Sequence, residues 1–149
     1  MTASRYVALV VGPPAAGKTT WVQQHARPGD VVVDFDEIAR RLGSRVEHGH
    51  TGSVFWRAMR EQERLEARVA RMASGRAFVI RTLPNPVLRA RRARQLRATE
   101  VVVVDPGRDI VGPRARSLRP LAARAAVDDW YRFNPTPQSN TVDTVDDWR

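Results

Sequence analysis

Eight residues constrain this chain more than any others: Gly12-Pro13-Pro14-Ala15-Ala16-Gly17-Lys18-Thr19. They fit the pattern G-x-x-x-x-G-K-[ST], and their flanks supply the context the pattern needs. Before them, residues 5 to 11 (RYVALVV) form a short, β-branched apolar run that reads as a buried strand. After them, a helix is expected from Lys18 to about Ala26. In such a strand-loop-helix unit the glycines let the chain curl until several backbone N–H groups face one point. The helix start adds its positive dipole end there. Lysine then reaches the β- and γ-phosphates of a nucleoside triphosphate, and the hydroxyl of Thr19 ligates Mg2+. The expected site for ATP, or another nucleoside triphosphate, is Gly12, Pro13, Pro14, Ala15, Ala16, Gly17, Lys18, Thr19 and Thr20.

Composition strengthens that reading at one residue. Of the 25 Lys and Arg residues, every one except Lys18 is Arg. The Arg, Ala and Val content has the look of a GC-rich genome, yet the phosphate-loop position keeps a lysine. A planar guanidinium does not replace a compact ammonium between phosphate oxygens. The formal charge of +9 is uneven, because residues 128–149 hold five Asp against two Arg and the rest of the chain is strongly basic. A basic body suits phosphate-rich partners, nucleic acid above all, although compositional bias accounts for the charge equally well. With no Cys, disulfides and thiolate metal sites are excluded and a reducing compartment is the natural setting. The apolar run that ends at Val11 is too short for a membrane span or a secretion signal, so a cytoplasmic protein with no membrane partner is expected.

The 149 residues suffice for one domain. A second buried strand is expected at Val31–Val33, a short helix from Ile38 to Leu42, and a glycine-rich loop at residues 43–52. Ser53 is placed to cap a long helix reaching about Ser74, with Phe55, Met59, Leu65, Val69 and Met72 as its apolar stripe and Gly75 as its stop. Ala77–Ile80 reads as a third strand. Asn85-Pro86 offers an N-cap followed by Pro at the first helical position, opening a basic helix over Val87 to Arg97. Val101–Val104 reads as a fourth strand, ended by Asp105-Pro106-Gly107. An Arg-rich segment (Arg114, Arg116, Arg119, Arg124) and a last helix through Trp130 and Tyr131 follow. The expected fold class is α/β: a three-layer P-loop NTPase fold, with a short, mostly parallel sheet of about four strands flanked by helices and an Arg-bearing lid. Residues 1–133 form the domain, and residues 134–149 are expected to be a polar, poorly ordered acidic tail.

Asp34, Asp36 and Glu37 follow the second strand, one strand away from the phosphate loop, at an edge expected to face the γ-phosphate. A carboxylate there can take the proton of an attacking hydroxyl or hold a water of the Mg2+ shell. Equally, these acids can cap the next helix.

Gly12 to Trp21 (GPPAAGKTTW), followed by Asp34-Phe35-Asp36-Glu37, resembles the kinase domain of the bacteriophage polynucleotide 5′-hydroxyl kinases. Thr82-Leu83-Pro84-Asn85-Pro86 before a basic helix, and Arg114 to Arg119 after the fourth strand, match that family in order and spacing. The resemblance covers residues 5 to about 131 and implies ATP-dependent phosphorylation of a nucleic-acid or nucleotide 5′-hydroxyl. It makes Asp36 the general base with Asp34 as fallback, Arg40 or Arg41 a substrate contact, and Arg114 and Arg116 lid arginines that neutralise the transferred phosphoryl. One departure stands out. The family has an acid at the end of its third strand, whereas this chain has Arg81.

Other signals carry less. Val101 to Asp105 reads as a metal-binding Walker B strand or, preferably, as a strand-end turn near the adenine. His48 and His50 lack a third ligand at metal spacing. The arginines of residues 89–97 could track a nucleic-acid backbone or simply face solvent. Trp56, Trp130 and Tyr131 suit a core better than base stacking. Besides a polynucleotide kinase, a small-molecule kinase (of a nucleoside, nucleotide or antibiotic) and a nucleotide-dependent nucleic-acid-binding ATPase or switch remain open. An oligomeric AAA-type motor is less favoured, since its helical lid domain and trans-acting arginine find no room in these residues. Oligomeric state is not legible.

Overall fold

The computed structural model describes residues 4–44, 52–119 and 121–136, together with the backbone of 141–144. Its elements follow the order β1 (Arg5–Val11), α1 (Lys18–His25), β2 (Val31–Val33), α2 (Phe35–Arg41), α3 (Gly52–Arg71), β3 (Gly75–Arg81), α4 (Pro86–Leu96), β4 (Glu100–Val103), α5 (Arg108–Leu118), α6 (Ala122–Phe133) and β5 (Thr141–Thr144). The sheet order is β2-β3-β1-β4-β5. The first four strands are parallel, with helices supplying the crossovers that parallel pairing needs, and Leu9 of β1 lies opposite Val79 of β3 and Val101 of β4. β1 lies in the middle, and Val7 through Val11 are wholly buried. At about 2 kcal/mol per fully buried aliphatic side chain, this continuous run is the fold's main apolar anchor.

Several boundaries differ from the sequence expectation, each for a local reason. α2 begins at Phe35 rather than Ile38, because Asp34 accepts a hydrogen bond from the Asp36 amide (3.1 Å) and so starts the helix early. α3 starts at Gly52, which puts Ser53 inside its first turn, not at its cap. Its fully buried face is Ala58, Gln62, Glu66 and Val69; of the expected stripe, Phe55, Met59, Leu65 and Met72 are only partly covered. The helix stops at Arg71, and Gly75, at φ +97°, opens β3. Asn85 caps α4 as expected, accepting from the Val87 amide at 2.9 Å. Arg89 turns inward instead of lining a basic face. It stacks on Trp130 at 4.9 Å and donates to the carbonyls of Leu83 and Pro84 (3.2 Å each), tying the β3–α4 connection to α6. Trp130 and Tyr131 are core residues, whereas Trp56 is 64 % exposed.

The segment expected as a loose tail supplies β5, which pairs antiparallel with β4 from Glu100–Thr144 to Val103–Thr141. No described helix is long and apolar enough to cross a membrane. His48 and His50 lie outside the described residues.

Candidate nucleotide and phosphoryl-transfer site

Strand ends position this site. β1 runs into Gly12 while the chain leaving β4 passes beside it, the Val104 amide donating to the Val11 carbonyl at 2.8 Å. A Cβ on Gly12 would stand 2.2 Å from the Val104 carbonyl oxygen, so the first glycine of the motif is dictated by backbone against backbone. Neither partner is a flexible side chain that could yield. Gly12→Ala is therefore expected to cost about 2 kcal/mol or more in urea unfolding, the range of forced overpacking, and to displace the loop. The loop then alternates through left-handed backbone at Ala15 (φ +63°) and Gly17 (φ +101°) before α1 begins at Lys18.

The start of α1 has neither a side-chain cap nor an acidic residue in its first turn. Both features suit a helix end that presents its N–H groups to an anion. Lys18 folds back over the loop, its Nζ donating to the Gly12 carbonyl at 2.6 Å. Thr19 and Thr20 are exposed on the first turn. These features fit a Mg2+–triphosphate: the Thr19 hydroxyl would hold the ion together with phosphate oxygens. Among the described residues no three His, Asp or Glu side chains gather into an all-protein metal cage.

Burial, and then the neighbouring Arg119, push the Lys18 ammonium down to about 7, against weaker opposing pulls from Asp34 and Asp36. Two consequences follow from the sign. The folded protein binds fewer protons at Lys18 than the unfolded chain between about pH 7 and the ordinary lysine value, so this group's destabilisation is fullest below pH 7 and relieved as pH rises through that window. A bound phosphate favours the ammonium, so nucleotide binding takes up a proton there. Calorimetry at pH 8 in buffers of different ionisation enthalpy is expected to give net proton uptake on ATP binding, and a Lys18→Ala protein less of it.

Asp34 and Asp36 stand one strand beyond the loop's neighbour, in the sheet order β2-β3-β1. Asp34 caps α2, and burial followed by the Asp36 charge raises its carboxyl above the usual range. Asp36, in the first turn of α2, reaches toward Arg119, with Oδ2 3.9 Å from a guanidinium nitrogen. Both side chains are partly exposed, so the pair contributes at most about 1 kcal/mol to folding. Its interest is electrostatic. Lys18, Asp34, Asp36 and Arg119 share one field at the C-terminal edge of the sheet. Arg119 caps the C-terminus of α5. Sequence reasoning had it within the Arg-rich segment but favoured Arg114 and Arg116. Arg114 is exposed on α5, and Arg116 lines a groove with Arg108, Arg124 and Asp128 where α5 meets α6. Arg40, expected as a substrate contact alongside Arg41, lies close enough to Asp34 to lower its carboxyl slightly.

Asp105 is the strand-end turn preferred from the sequence. Fully buried, it accepts hydrogen bonds from the Gly107 amide (3.0 Å), the Trp130 indole (3.1 Å) and the Tyr131 hydroxyl (2.6 Å). Its carboxylate is spent on holding α6 against β4.

Arg81 has a partner that the linear sequence hid. Glu66 of α3, 4 % exposed, accepts from both Arg81 Nε (3.0 Å) and Nη2 (2.5 Å), and Arg92 stands 3.8 Å from the same carboxylate. The positive charge at the end of β3 is thus balanced by an acid on α3. The available signal was the recurrence of Ala58, Gln62, Glu66 and Val69 on one helical face. Removing Glu66 takes the carboxylate from two partly exposed guanidinium groups, and Glu66→Ala is expected to lower stability by about 2 kcal/mol in chemical denaturation.

Residues 7–117 match a family profile described as an AAA domain. No curated protein matches the sequence. Among solved structures, a chain in the Pnkp1/Rnl/Hen1 RNA repair complex superposes with a TM-score of 0.63 at 12% identity. The match covers 95% of this chain but 50% of that one, so the present chain spans half the length of that relative. At this identity the likeness is one of fold.

Proposed function

This chain belongs to the P-loop AAA domain family, and we propose that it is an ATP-dependent phosphotransferase that moves the γ-phosphoryl of a nucleoside triphosphate to a hydroxyl, foremost the 5′-hydroxyl of a nucleic acid or nucleotide. The observation that carries this reading is the meeting of Lys18, Asp36 and Arg119 at one sheet edge: an ammonium for the phosphates, a carboxylate for a proton and a guanidinium beside both.

The loop N–H groups and Lys18 hold the β- and γ-phosphates. The acceptor oxygen attacks the γ-phosphorus, the bond to the bridging oxygen breaks, and the hydroxyl proton passes to Asp36, leaving nucleoside diphosphate. Arg119, joined by Arg114 and Arg116 if the lid closes, offsets charge on the phosphoryl in flight. Bound Mg2+, held through Thr19, supplies further charge neutralisation. Arg81 does not oppose this arrangement, because Glu66 already balances it.

The test is label transfer from γ-labelled ATP, with Mg2+, to 5′-hydroxyl DNA and RNA oligonucleotides, run beside nucleosides and other small alcohols. Transfer to an oligonucleotide end, with apparent affinity falling as salt rises, is expected. Transfer confined to a small molecule and indifferent to salt would reassign the acceptor. ATP hydrolysis stimulated by nucleic acid without transfer would make the protein a nucleotide-dependent switch.

A further inference from the structure

A short aromatic ladder leads away from the carboxylates. Phe35 sits between Asp34 and Asp36 at the start of α2, and its ring meets that of Phe55 edge-on at 5.6 Å. Phe55 meets Trp56 in the same manner at 5.2 Å. The first two rings are partly buried and hold each other in place, while the indole of Trp56 is 64 % exposed. An exposed tryptophan braced by the partly buried Phe55 ring loses little side-chain freedom when a flat ligand covers it, which makes it a good stacking surface. Arg57 is its neighbour in sequence and Arg60 lies one turn on; both are exposed and neither forms an ion pair among the described residues. Aromatic face plus unspent arginines is the combination that single-stranded nucleic acid recognises: bases stack, phosphates pair with cations, and sequence matters little. An apolar protein partner would find no use for the two arginines, and the chain's charge of +9 points the same way.

We propose that Trp56, flanked by Arg57 and Arg60, is a base-stacking platform that holds a single-stranded nucleic acid near its end, with the terminal hydroxyl directed along the Phe55–Phe35 ladder toward Asp36. The inference rests on the phosphotransferase reading for the purpose of the platform, but its test is a binding measurement that does not require transfer. Short 5′-hydroxyl oligodeoxynucleotides titrated into the nucleotide-free protein are expected to quench tryptophan emission, and the quench is expected to disappear in Trp56→Phe. Binding read independently by fluorescence anisotropy should weaken about 10- to 100-fold in Trp56→Ala, recover in part in Trp56→Phe, and leave ATP affinity unchanged. An oligonucleotide with abasic residues at its 5′ end should bind the parent protein as weakly as the intact one binds Trp56→Ala. Oligonucleotide affinity within twofold of the parent in Trp56→Ala, or no oligonucleotide binding by the parent, would overturn the platform. So would a Trp56→Ala protein whose only change is loss of self-association in sedimentation, which would make the indole a protein contact. Label transfer, scored separately on the same proteins, decides the phosphotransferase reading: transfer that persists in Trp56→Ala with unchanged KM for the oligonucleotide sinks the platform and spares the enzyme.

Discussion

Lys18→Ala is expected to yield a folded protein whose kcat/KM for phosphoryl transfer is about 10³-fold below the parent, in line with loss of a preorganised charge at the transferring group. Folding should survive because the ammonium stabilises little in the nucleotide-free state. Among the described residues its ammonium donates only to its own loop, at the Gly12 carbonyl, and burial holds its pKa down to about 7. A lysine depressed in this way costs stability below its unfolded pKa, so the alanine variant should unfold no more easily at pH 7. The loss should therefore be read in steady-state kinetics beside an unfolding curve. Lys18→Arg is the sharper version. A chain that uses Arg at every other basic position would accommodate it by composition, yet the fork does not fit a pocket shaped for a point charge, and activity is expected to stay low.

The second large effect belongs to Asp36. Asp36→Asn should lower kcat about 10²- to 10⁴-fold, the range of a lost general base, while ATP still binds. The Asp36 backbone amide, not its side chain, donates to Asp34, so the cap of α2 is untouched. Losing one acid in the first helical turn costs only about 0.5 kcal/mol. Asp34→Asn is the informative companion, since asparagine caps a helix as well as aspartate does. If Asp36 is the base, Asp34→Asn changes kcat far less than Asp36→Asn, and single-turnover rates of the two variants rank them directly. The reverse ranking would hand the role to Asp34, whose carboxyl is raised by burial but whose side chain is already engaged at the cap.

Much of the fold was legible because it is local. The run RYVALVV, the left-handed turn at Gly17 and the Asn85-Pro86 start of α4 each determine their own conformation within a few residues. Asp34 follows β2 directly, as its position in the sequence implies, but its use as a cap moved the helix start forward and put Asp36 in the first turn of α2. What escaped the sequence depends on contacts far apart in the chain. Glu66 and Arg81 are ordinary charges until α3 lies over β3, and Arg89 looks like one more surface arginine until Trp130 arrives beneath it. Arg119 stood among several candidates, and only the turn at the end of α5 singles it out toward Asp36. β5 had no apolar pattern of its own to announce it; the open edge of β4 supplies the hydrogen bonds that make Thr141–Thr144 a strand.

The fate of the γ-phosphoryl tests the central claim most directly. ATP labelled in that group is incubated with Mg2+, the protein and a 5′-hydroxyl oligonucleotide, so that the hydroxyl and water compete as acceptors, and products are separated and counted. Label on the oligonucleotide 5′ oxygen in excess over free orthophosphate, formed at least about 100-fold more slowly by Lys18→Ala and Asp36→Asn, is the predicted result. Label found only as orthophosphate, or ATP bound and recovered intact with every hydroxyl acceptor tried, would contradict it.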